Sequence, residues 1–325
     1  MFVSTDDYGR SKKTDARRSD QRGAVLSLST AVFCGACIIF LLFVYDGRRS
    51  PAEVRQRATA LDEEGNEICH VPAIRRPEEF FDDIETVTAD CRSQIQIGKT
   101  SNAEVINDDF GTAIRCNKSE AHFQWICLDK RLKIQPGSCL SYSIGVDPEF
   151  TFEEDMERLG CEVYAFDTPE NVQDHQRSSR IWFQNVRIGV NSYDAFLEGQ
   201  TYRKSRNLHQ VVENLGHTHR TIDVLKLDVR DHEWEALEEF LRSEVMDQVK
   251  QLVVTLNFQR PANSQTPQNL MKELVKYYEL LRMLDCDGFR IFSSKGRGEP
   301  KVPHGMKRSF YEEYEISYVN TNFYH

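Results

Sequence analysis

The chain has 325 residues, of which 40% are hydrophobic, so it is long enough to bury one sizeable core together with appendages. Its formal net charge of −10 argues against a nucleic-acid partner, because binding phosphates requires a basic face. We therefore expect an acidic, well-solvated globular part without a nucleic-acid interface.

The N-terminal region has the pattern of a membrane anchor. Residues 1–22 are polar and charged without an apolar period, which is typical of a disordered tail. The segment 23–45 contains no charged residue, and about 20 apolar residues are enough to cross a bilayer. It is too long for the apolar part of a cleaved signal peptide, and no small-residue cleavage site follows it. We predict one uncleaved transmembrane helix over 23–45.

The charges around this segment predict its orientation. Basic residues are more numerous before it than after it, and such an excess marks the cytoplasmic side. The residues before it are Arg10, Lys12, Lys13, Arg17, Arg18 and Arg22, and those after it are Arg48, Arg49, Arg55 and Arg57. We therefore expect a cytoplasmic tail over 1–22 and a single-pass type II membrane protein of the endoplasmic reticulum or Golgi.

A charged, proline-containing stretch follows the anchor. Residues 46–115 are predicted to form a stem or linker, in which 78–97 has the apolar pattern of an amphipathic helix. The only glycosylation sequon found, at Asn117, agrees with a lumenal position. A compact domain is expected over 116–325.

Seven cysteines follow the anchor, and the odd number leaves at least one of them free or bonded between molecules. Cys116 and Cys127 flank a short segment and are the favoured disulfide. Cys139 and Cys161 fall on predicted strands, so we expect them to be buried thiols. No pair of cysteines has zinc-finger spacing, and no metal site is predicted.

The domain alternates short apolar runs with helical segments. The runs 139–145, 161–167 and 222–228 are too short for buried helices and rich in β-branched or aromatic residues, which indicates buried parallel strands. Further strands are predicted over 180–189, 251–257, 289–294 and 312–319, and helices over 149–159, 208–215, 231–242 and 268–284. This alternation predicts an α/β fold with a parallel sheet, with room for an antiparallel pair at one edge.

Two of these strands end in residues suited to a nucleotide-like ligand, which binds beyond the carboxyl ends of strands in such sheets. Gly145 follows the first strand and precedes a helix, so backbone N–H groups there can approach an anionic group. Asp167 ends the second strand about 20 residues later, where a carboxylate can accept hydrogen bonds from ribose hydroxyls. The alternatives are an ordinary turn at Gly145 and a helix N-cap at Asp167.

Asp228 ends the third strand beside the same crevice, where it can orient a substrate, hold a cation or border the cofactor. Asp231, His232 and Glu233 follow it, and such a group can ligate a divalent metal or supply a general base. Helix capping accounts better for Asp231 and Glu233, whereas His232 is left open. The triplet Asp285-Cys-Asp287 has the pattern of a metal–nucleotide sugar site, but a turn explains it without a ligand.

Several motifs, in this order, resemble those of a known family. They are Tyr142-Ser-Ile-Gly-Val146, Gly160-Cys-Glu-Val-Tyr-Ala-Phe-Asp167, His175-Gln-Arg-Ser178 and Gly216-His-Thr-His-Arg-Thr-Ile-Asp-Val-Leu-Lys-Leu-Asp228. The family is that of the membrane-anchored methyltransferase-like proteins, in particular the methyltransferase-like protein twenty-four group, related to the FkbM-type S-adenosylmethionine methyltransferases.

The resemblance implies a Rossmann-like, seven-stranded methyltransferase sheet with helices on both faces. It also implies that S-adenosylmethionine binds near Gly145 and Asp167, and we include Tyr142 and Ser143 of the first motif in the predicted cofactor site. The acceptor is then expected near Asp228.

This chain departs from the family pattern at three places. Asp147 occupies the position of a second glycine, where its charge can repel the methionine carboxylate. Arg230 and Asp231 replace a Glu-Gly pair, and 255–257 reads Thr-Leu-Asn instead of Glu-Ile-His.

Three hypotheses follow for the function. The first is methyl transfer from S-adenosylmethionine to an oxygen of a small molecule or glycan in the secretory pathway, with Asp228 and then His232 as the catalytic candidates. The second is a catalytically degenerate member that binds or scaffolds at the membrane. The third is a type II glycosyltransferase.

Overall fold

The computed structural model describes residues 59–61, 67–69, 71–98, 103–108, 111–116, 123–135, 137–189, 192–197, 201–230, 232–258, 266–302 and 306–324. The predicted tail and anchor, the Asn117 sequon and Asp231 lie outside these residues. Among the helices of the described part, none combines the length and apolar character needed to cross a bilayer. The anchor over 23–45 therefore stays a prediction.

The described secondary structure consists of short strands and five α-helices. The strands are β1 (Thr59–Leu61), β2 (Glu67–Cys69), β3 (Gln94–Ile97), β4 (Ala103–Asp108), β5 (Gly111–Cys116), β6 (Gln124–Cys127), β7 (Leu140–Ile144), β8 (Glu162–Asp167), β9 (His175–Gln176), β10 (Ile181–Asn185), β11 (Arg187–Ile188), β12 (Tyr193–Leu197), β13 (Thr201–Arg206), β14 (Val224–Leu227), β15 (Gln251–Asn257), β16 (Phe289–Arg297) and β17 (Glu313–Asn320). The helices are α1 (Pro77–Glu85), α2 (Thr151–Arg158), α3 (Leu208–Asn214), α4 (Glu233–Arg242) and α5 (Pro267–Cys286).

The main sheet has the strand order β16-β17-β15-β14-β7-β8-β10-β9. Five of its strands run parallel to one another, namely β15, β14, β7, β8 and β10. Strand β17 is antiparallel to both β15 and β16, and the two-residue strand β9 extends the opposite edge. Apart from β9, this is the predicted seven-stranded Rossmann-like sheet with an antiparallel pair at one edge.

The chain changes direction across the sheet at β7. It builds β8 and β10 on one side of β7 and then crosses to β14 and β15 on the other side. A ligand in an open α/β sheet binds in the crevice at such a switch point, beyond the carboxyl ends of the strands. The topology therefore places the candidate site at the ends of β7, β8 and β14.

Alternate residues of the strands face two separate apolar clusters, because side chains along a strand point to opposite faces. Leu225 and Leu227 of β14 pack in a cluster with residues of α1, α3, α4 and α5. Val224 belongs to a second cluster, with Phe152 and Met156 of α2. The predicted arrangement of helices on both faces is confirmed.

Helix α1 is shorter than the sequence predicts and belongs to the core. It ends at Glu85 instead of extending to 97, and the last four residues of the predicted span form the strand β3. The backbone N–H groups of Thr88 and Ala89 both donate to the carbonyl of Ile291, at 2.7 and 2.9 Å, which draws the chain out of the helix. Phe80 and Phe81 of α1 are fully buried, so the core includes residues assigned to the stem.

The predicted cysteine chemistry is wrong at four positions. Cys127 is bonded to Cys91 and not to Cys116, and Cys139 forms a disulfide with Cys161, so neither is a thiol. The second bond follows from the register, because each of these cysteines immediately precedes one of the parallel strands β7 and β8. Their Cα atoms therefore lie 4.5 Å apart.

Candidate functional site

A cleft of about 770 Å³ opens at the carboxyl ends of the parallel strands. It is lined by the ends of β7, β8 and β15 and by the loops that follow β10 and β14. Four of the predicted site residues line it together, although they come from three separate parts of the sequence. They are Gly145, Asp167, Asp228 and His232.

Gly145 is required by a close approach of two backbones. Its φ is +83°, and a Cβ at this position would lie 1.9 Å from the carbonyl oxygen of Asp228. The N–H of Gly145 also donates to the carbonyl of Phe166 at 2.9 Å, which fixes the turn against β8. The glycine therefore does more than allow a turn, since it lets the ends of β7 and β14 meet at the cleft floor.

The carboxylate of Asp167 connects the end of β8 to the turn that follows Gly145. Its Oδ2 accepts a hydrogen bond from the N–H of Val146 at 3.1 Å, and its Oδ1 accepts one from Thr168 N–H at 2.6 Å. The element that follows Asp167 is the strand β9 and not a helix, so the N-cap interpretation does not apply. Each carboxylate oxygen can accept a further hydrogen bond, which leaves capacity for ribose hydroxyls.

Asp147 has a structural role at the start of α2. Its Oδ1 accepts a hydrogen bond from Glu149 N–H at 2.8 Å, and its Oδ2 accepts one from the Thr151 hydroxyl at 2.9 Å and one from the Thr151 N–H at 3.3 Å. A carboxylate is favourable beside the N-terminus of a helix. Its charge is therefore largely engaged by α2, which lessens the expected repulsion of a methionine carboxylate.

Tyr142 and Ser143 are not among the residues that line the cleft. The Tyr142 hydroxyl lies 2.8 Å from Nδ1 of His217, and the ring packs in the apolar cluster that includes residues of α1, α3, α4 and α5. Burial raises the pKa of Tyr142. The Ser143 hydroxyl donates to buried Glu153. Any effect of these two side chains on a cofactor therefore passes through other residues.

Two buried ionisable residues beneath the Gly145 turn were missed from the sequence. Lys226 of β14 lies 3.7 Å from Oε1 of Glu153, and their side chains are 3% and 0% exposed. Nζ of Lys226 also donates to the carbonyl of Gly145 at 2.7 Å. Burial raises the pKa of Glu153, although the Lys226 charge opposes this effect. The sequence feature that could have indicated these residues is Lys226 itself, a lysine inside an otherwise apolar strand.

Asp228, His232 and Asn257 line the part of the cleft where the sequence predicts the acceptor, and this part is called the acceptor end. His232 occupies the N-cap position of α4 without capping it through its side chain, and its Nδ1 lies 3.7 Å from Glu235. The imidazole is half exposed and lies at the cleft wall. Glu233 is buried and accepts a hydrogen bond from Asn257 N–H at 3.0 Å, so it holds the end of β15.

Glu315 lies behind this end of the cleft, opposite Thr255 in the pairing of β15 with β17. Burial raises its pKa to about 8, the negative charge of Asp228 adds to the rise, and Arg297 opposes it. At neutral pH this carboxyl group therefore keeps its proton, and the cleft has one fewer negative charge beside Asp228.

Two groups of possible metal ligands do not form a metal site in the described structure, and only the first of them was considered from the sequence. The Asp285-Cys-Asp287 triplet lies at the end of α5 outside the cleft lining, where Asp285 pairs with Arg282 and Cys286 is disulfide-bonded. Cys91, Cys127 and Asp129 are close enough to share an ion, but the two sulfur atoms are bonded to each other. They therefore offer no thiolate ligands.

Residues 92–295 match a family model described as a methyltransferase domain. The chain belongs to this methyltransferase family. It is 28% identical over 221 residues to "Probable methyltransferase-like protein 24" of Homo sapiens, covering 64% of this chain and 59% of that protein. The protein of the same name in Rattus norvegicus is 28% identical over 231 residues, covering 67% and 62%. The matched region spans about three fifths of these relatives.

Two solved structures with low similarity are fibrillarins. The Methanococcus jannaschii fibrillarin pre-rRNA processing protein is 10% identical, with a TM-score of 0.30 over 57% of this chain and 67% of that one. Aeropyrum pernix fibrillarin, solved with S-adenosyl-L-methionine, is 12% identical, with a TM-score of 0.29 over the same shares. These scores are too low to bear on function, and the fold assignment rests on the strand order.

S-adenosylmethionine is the methyl donor of the family, so the predicted cofactor is confirmed at that level. The residues present fit the donor in two respects. The close contact of the backbones at Gly145 and Asp228 brings the ends of β7 and β14 together at the cleft floor, and Asp167 provides acceptor oxygens at the cleft wall.

Replacing Gly145 by alanine tests the close approach. We expect Gly145→Ala to lower the free energy of unfolding by more than about 2 kcal/mol, because the Cβ collides with the Asp228 carbonyl and φ is positive. Gly137→Ala is the matched control, since Gly137 also has a positive φ but no atom within 4 Å of its Cβ. Urea unfolding at neutral pH measures both, and equal losses would contradict the collision.

The protonation of Glu315 predicts a pH-dependent stability. As pH rises from about 4.5 to about 8, the unfolded chain loses this proton first, so the folded state is progressively destabilised. Glu315→Gln removes this effect and should gain more than about 1 kcal/mol relative to wild type between pH 5 and 8. Urea unfolding at both pH values checks this, with exposed Glu299→Gln as control. If the difference in unfolding free energy between wild type and Glu315→Gln does not change with pH, the pKa of Glu315 is not raised.

Proposed function

We propose that this chain transfers the methyl group of S-adenosylmethionine to an oxygen of a small molecule or a glycan in the lumen of the secretory pathway. The observation that carries the proposal is the cleft at the switch point of the sheet, where Gly145, Asp167 and Asp228 line one cavity. Membership of the methyltransferase family supports the reaction class.

The donor end of the cleft is suited to binding and orientation. The turn at Gly145 and Val146 lines the cleft where the methionine moiety is expected, and the Asp167 carboxylate can hold the ribose hydroxyls. S-adenosylmethionine supplies a methyl group on a sulfonium, which is already a strong electrophile. The protein then has to align an acceptor oxygen with that methyl group and remove the proton of the acceptor.

The acceptor end provides groups for the proton and for orientation. Asp228 is the first candidate for the general base, because it lines the cleft beside the donor turn. His232 is the second candidate, as a half-exposed imidazole at the same wall. Asn257 has a polar side chain suited to hydrogen-bonding a hydroxyl acceptor.

The charge of the lining favours a neutral acceptor over an anionic one. Carboxylates outnumber cationic side chains by six to three, which disfavours phosphate-rich acceptors. The carboxylates are Asp147, Glu149, Asp167, Asp228, Glu233 and Glu313, and the cations are Arg187, Lys226 and Arg230. Hydroxyl-rich molecules such as glycans are compatible with this balance.

The disulfides support the lumenal part of the proposal. Cys91–Cys127 and Cys139–Cys161 are bonded, and Cys286 is also in a disulfide. Such bonds form and persist in oxidising compartments and are rare in the cytosol. Together with the apolar segment 23–45, they favour a type II protein whose domain lies in the endoplasmic reticulum or Golgi.

Binding of S-adenosylhomocysteine to the full chain tests the donor site. By isothermal titration we expect saturable binding at one site, weakened at least about tenfold in Asp167→Ala because a ribose acceptor is lost. Asp247→Ala, exposed in the short 3-10 helix Glu244–Gln248, should bind as wild type does. Asp228→Asn should keep the affinity and lose methyl transfer to hydroxyl acceptors. Absence of wild-type binding would favour the scaffold hypothesis.

The topology has its own test in sealed microsomes that contain the full chain. Added protease should remove only about the first 22 residues, because the membrane protects a lumenal domain. After detergent opens the microsomes, a glycosidase should lower the apparent mass by one glycan, removed from Asn117. Mass spectrometry without reduction should recover the peptides of Cys139 and Cys161 joined by their disulfide. Digestion of the domain without detergent would refute the lumenal position.

A further inference from the structure

Lys226 is a buried cation whose hydrogen-bonding capacity is only partly used. Its side chain is 3% exposed, yet the residue is part of the cleft lining. Its ammonium has three donor hydrogens. Within the described chain one acceptor, the carbonyl of Gly145 at 2.7 Å, lies within hydrogen-bond distance. At least one further hydrogen is therefore available to a ligand.

The neighbouring carboxylate does not fully neutralise this cation. Glu153 Oε1 is 3.7 Å from Nζ of Lys226, beyond hydrogen-bond distance, and it accepts the Ser143 hydroxyl instead. Its Oε2 has no hydrogen-bond partner among the described residues. Both the burial and this unsatisfied oxygen disfavour the ionised form of Glu153.

The other contacts of the ammonium do not supply an anion either. The ring of Phe152 lies 5.2 Å from Nζ, which offers a cation–π contact without a negative charge. Asp147, the acid of the donor turn, directs both oxygens to the start of α2. A buried ammonium next to a cavity is stabilised when a ligand brings an anion to it.

We propose that Lys226 recognises the carboxylate of the methionine moiety of S-adenosylmethionine. This inference rests on the proposed function and assigns a specificity-determining residue to the same cleft. The carboxylate is the one anionic group of that donor, and the Gly145 turn, to which Nζ is hydrogen-bonded, is the place where the methionine moiety is expected. Lys226 thus connects the shape of the turn to the charge of the ligand.

Decarboxylated S-adenosylmethionine is the probe that isolates this contact, because it keeps the sulfonium and the amine and lacks only the carboxylate. Isothermal titration of the full chain should show that wild type prefers S-adenosylmethionine at least about tenfold, as expected for a charge-assisted contact. Lys226→Met should remove most of that preference, and Lys226→Arg should retain part of it.

Arg187→Met is the matched control, since Arg187 is another cation of the cleft lining. It should leave the ratio of the two affinities unchanged. If Lys226→Met weakens both ligands equally, the lysine only supports the turn and the inference is overturned while the proposed function stands. A wild-type protein that binds both ligands equally overturns it without any variant. Binding of neither ligand overturns the proposed function itself.

Discussion

The site depends on one steric constraint, the meeting of two backbones at the end of the sheet. The turn after β7 lies so close to the end of β14 that a single methyl group at Gly145 would overlap the Asp228 carbonyl. This contact brings the turn of the proposed donor site and a catalytic candidate side by side. Residues 83 positions apart in the chain therefore line one cleft because parallel strands end at a common edge.

Beneath this contact, polar groups occupy what would otherwise be an apolar sheet face. Ser143, Glu153 and Lys226 form one buried group under the donor turn, and Glu315 lies behind the acceptor end. Buried polar groups of this kind lower stability unless they are well paired. Buried ionisable groups with perturbed pKa values beside a cleft, here Glu153 and Glu315, are typical of a functional site.

Much of the fold could be predicted from the sequence because the decisive signals are local. The runs around 139–145, 161–167 and 222–228 are short, apolar and β-branched, so they indicated β7, β8 and β14, and their last residues indicated Gly145, Asp167 and Asp228. Long-range pairing was not visible in the same way. Strand register, not spacing, joins Cys139 to Cys161, and backbone hydrogen bonds to Ile291 end α1 early.

The Cys139–Cys161 bond joins the starts of β7 and β8, at the end of the sheet opposite the cleft. In the chain-entropy model, closing a loop of 22 residues raises the free energy of the unfolded chain by about 3 kcal/mol and so stabilises the folded state. Under reducing conditions this restraint is lost, and the chain is then more exposed to proteolytic turnover. The bond therefore stabilises the domain only where oxidation is available, and it lies at the end of the sheet away from the ligand-binding cleft.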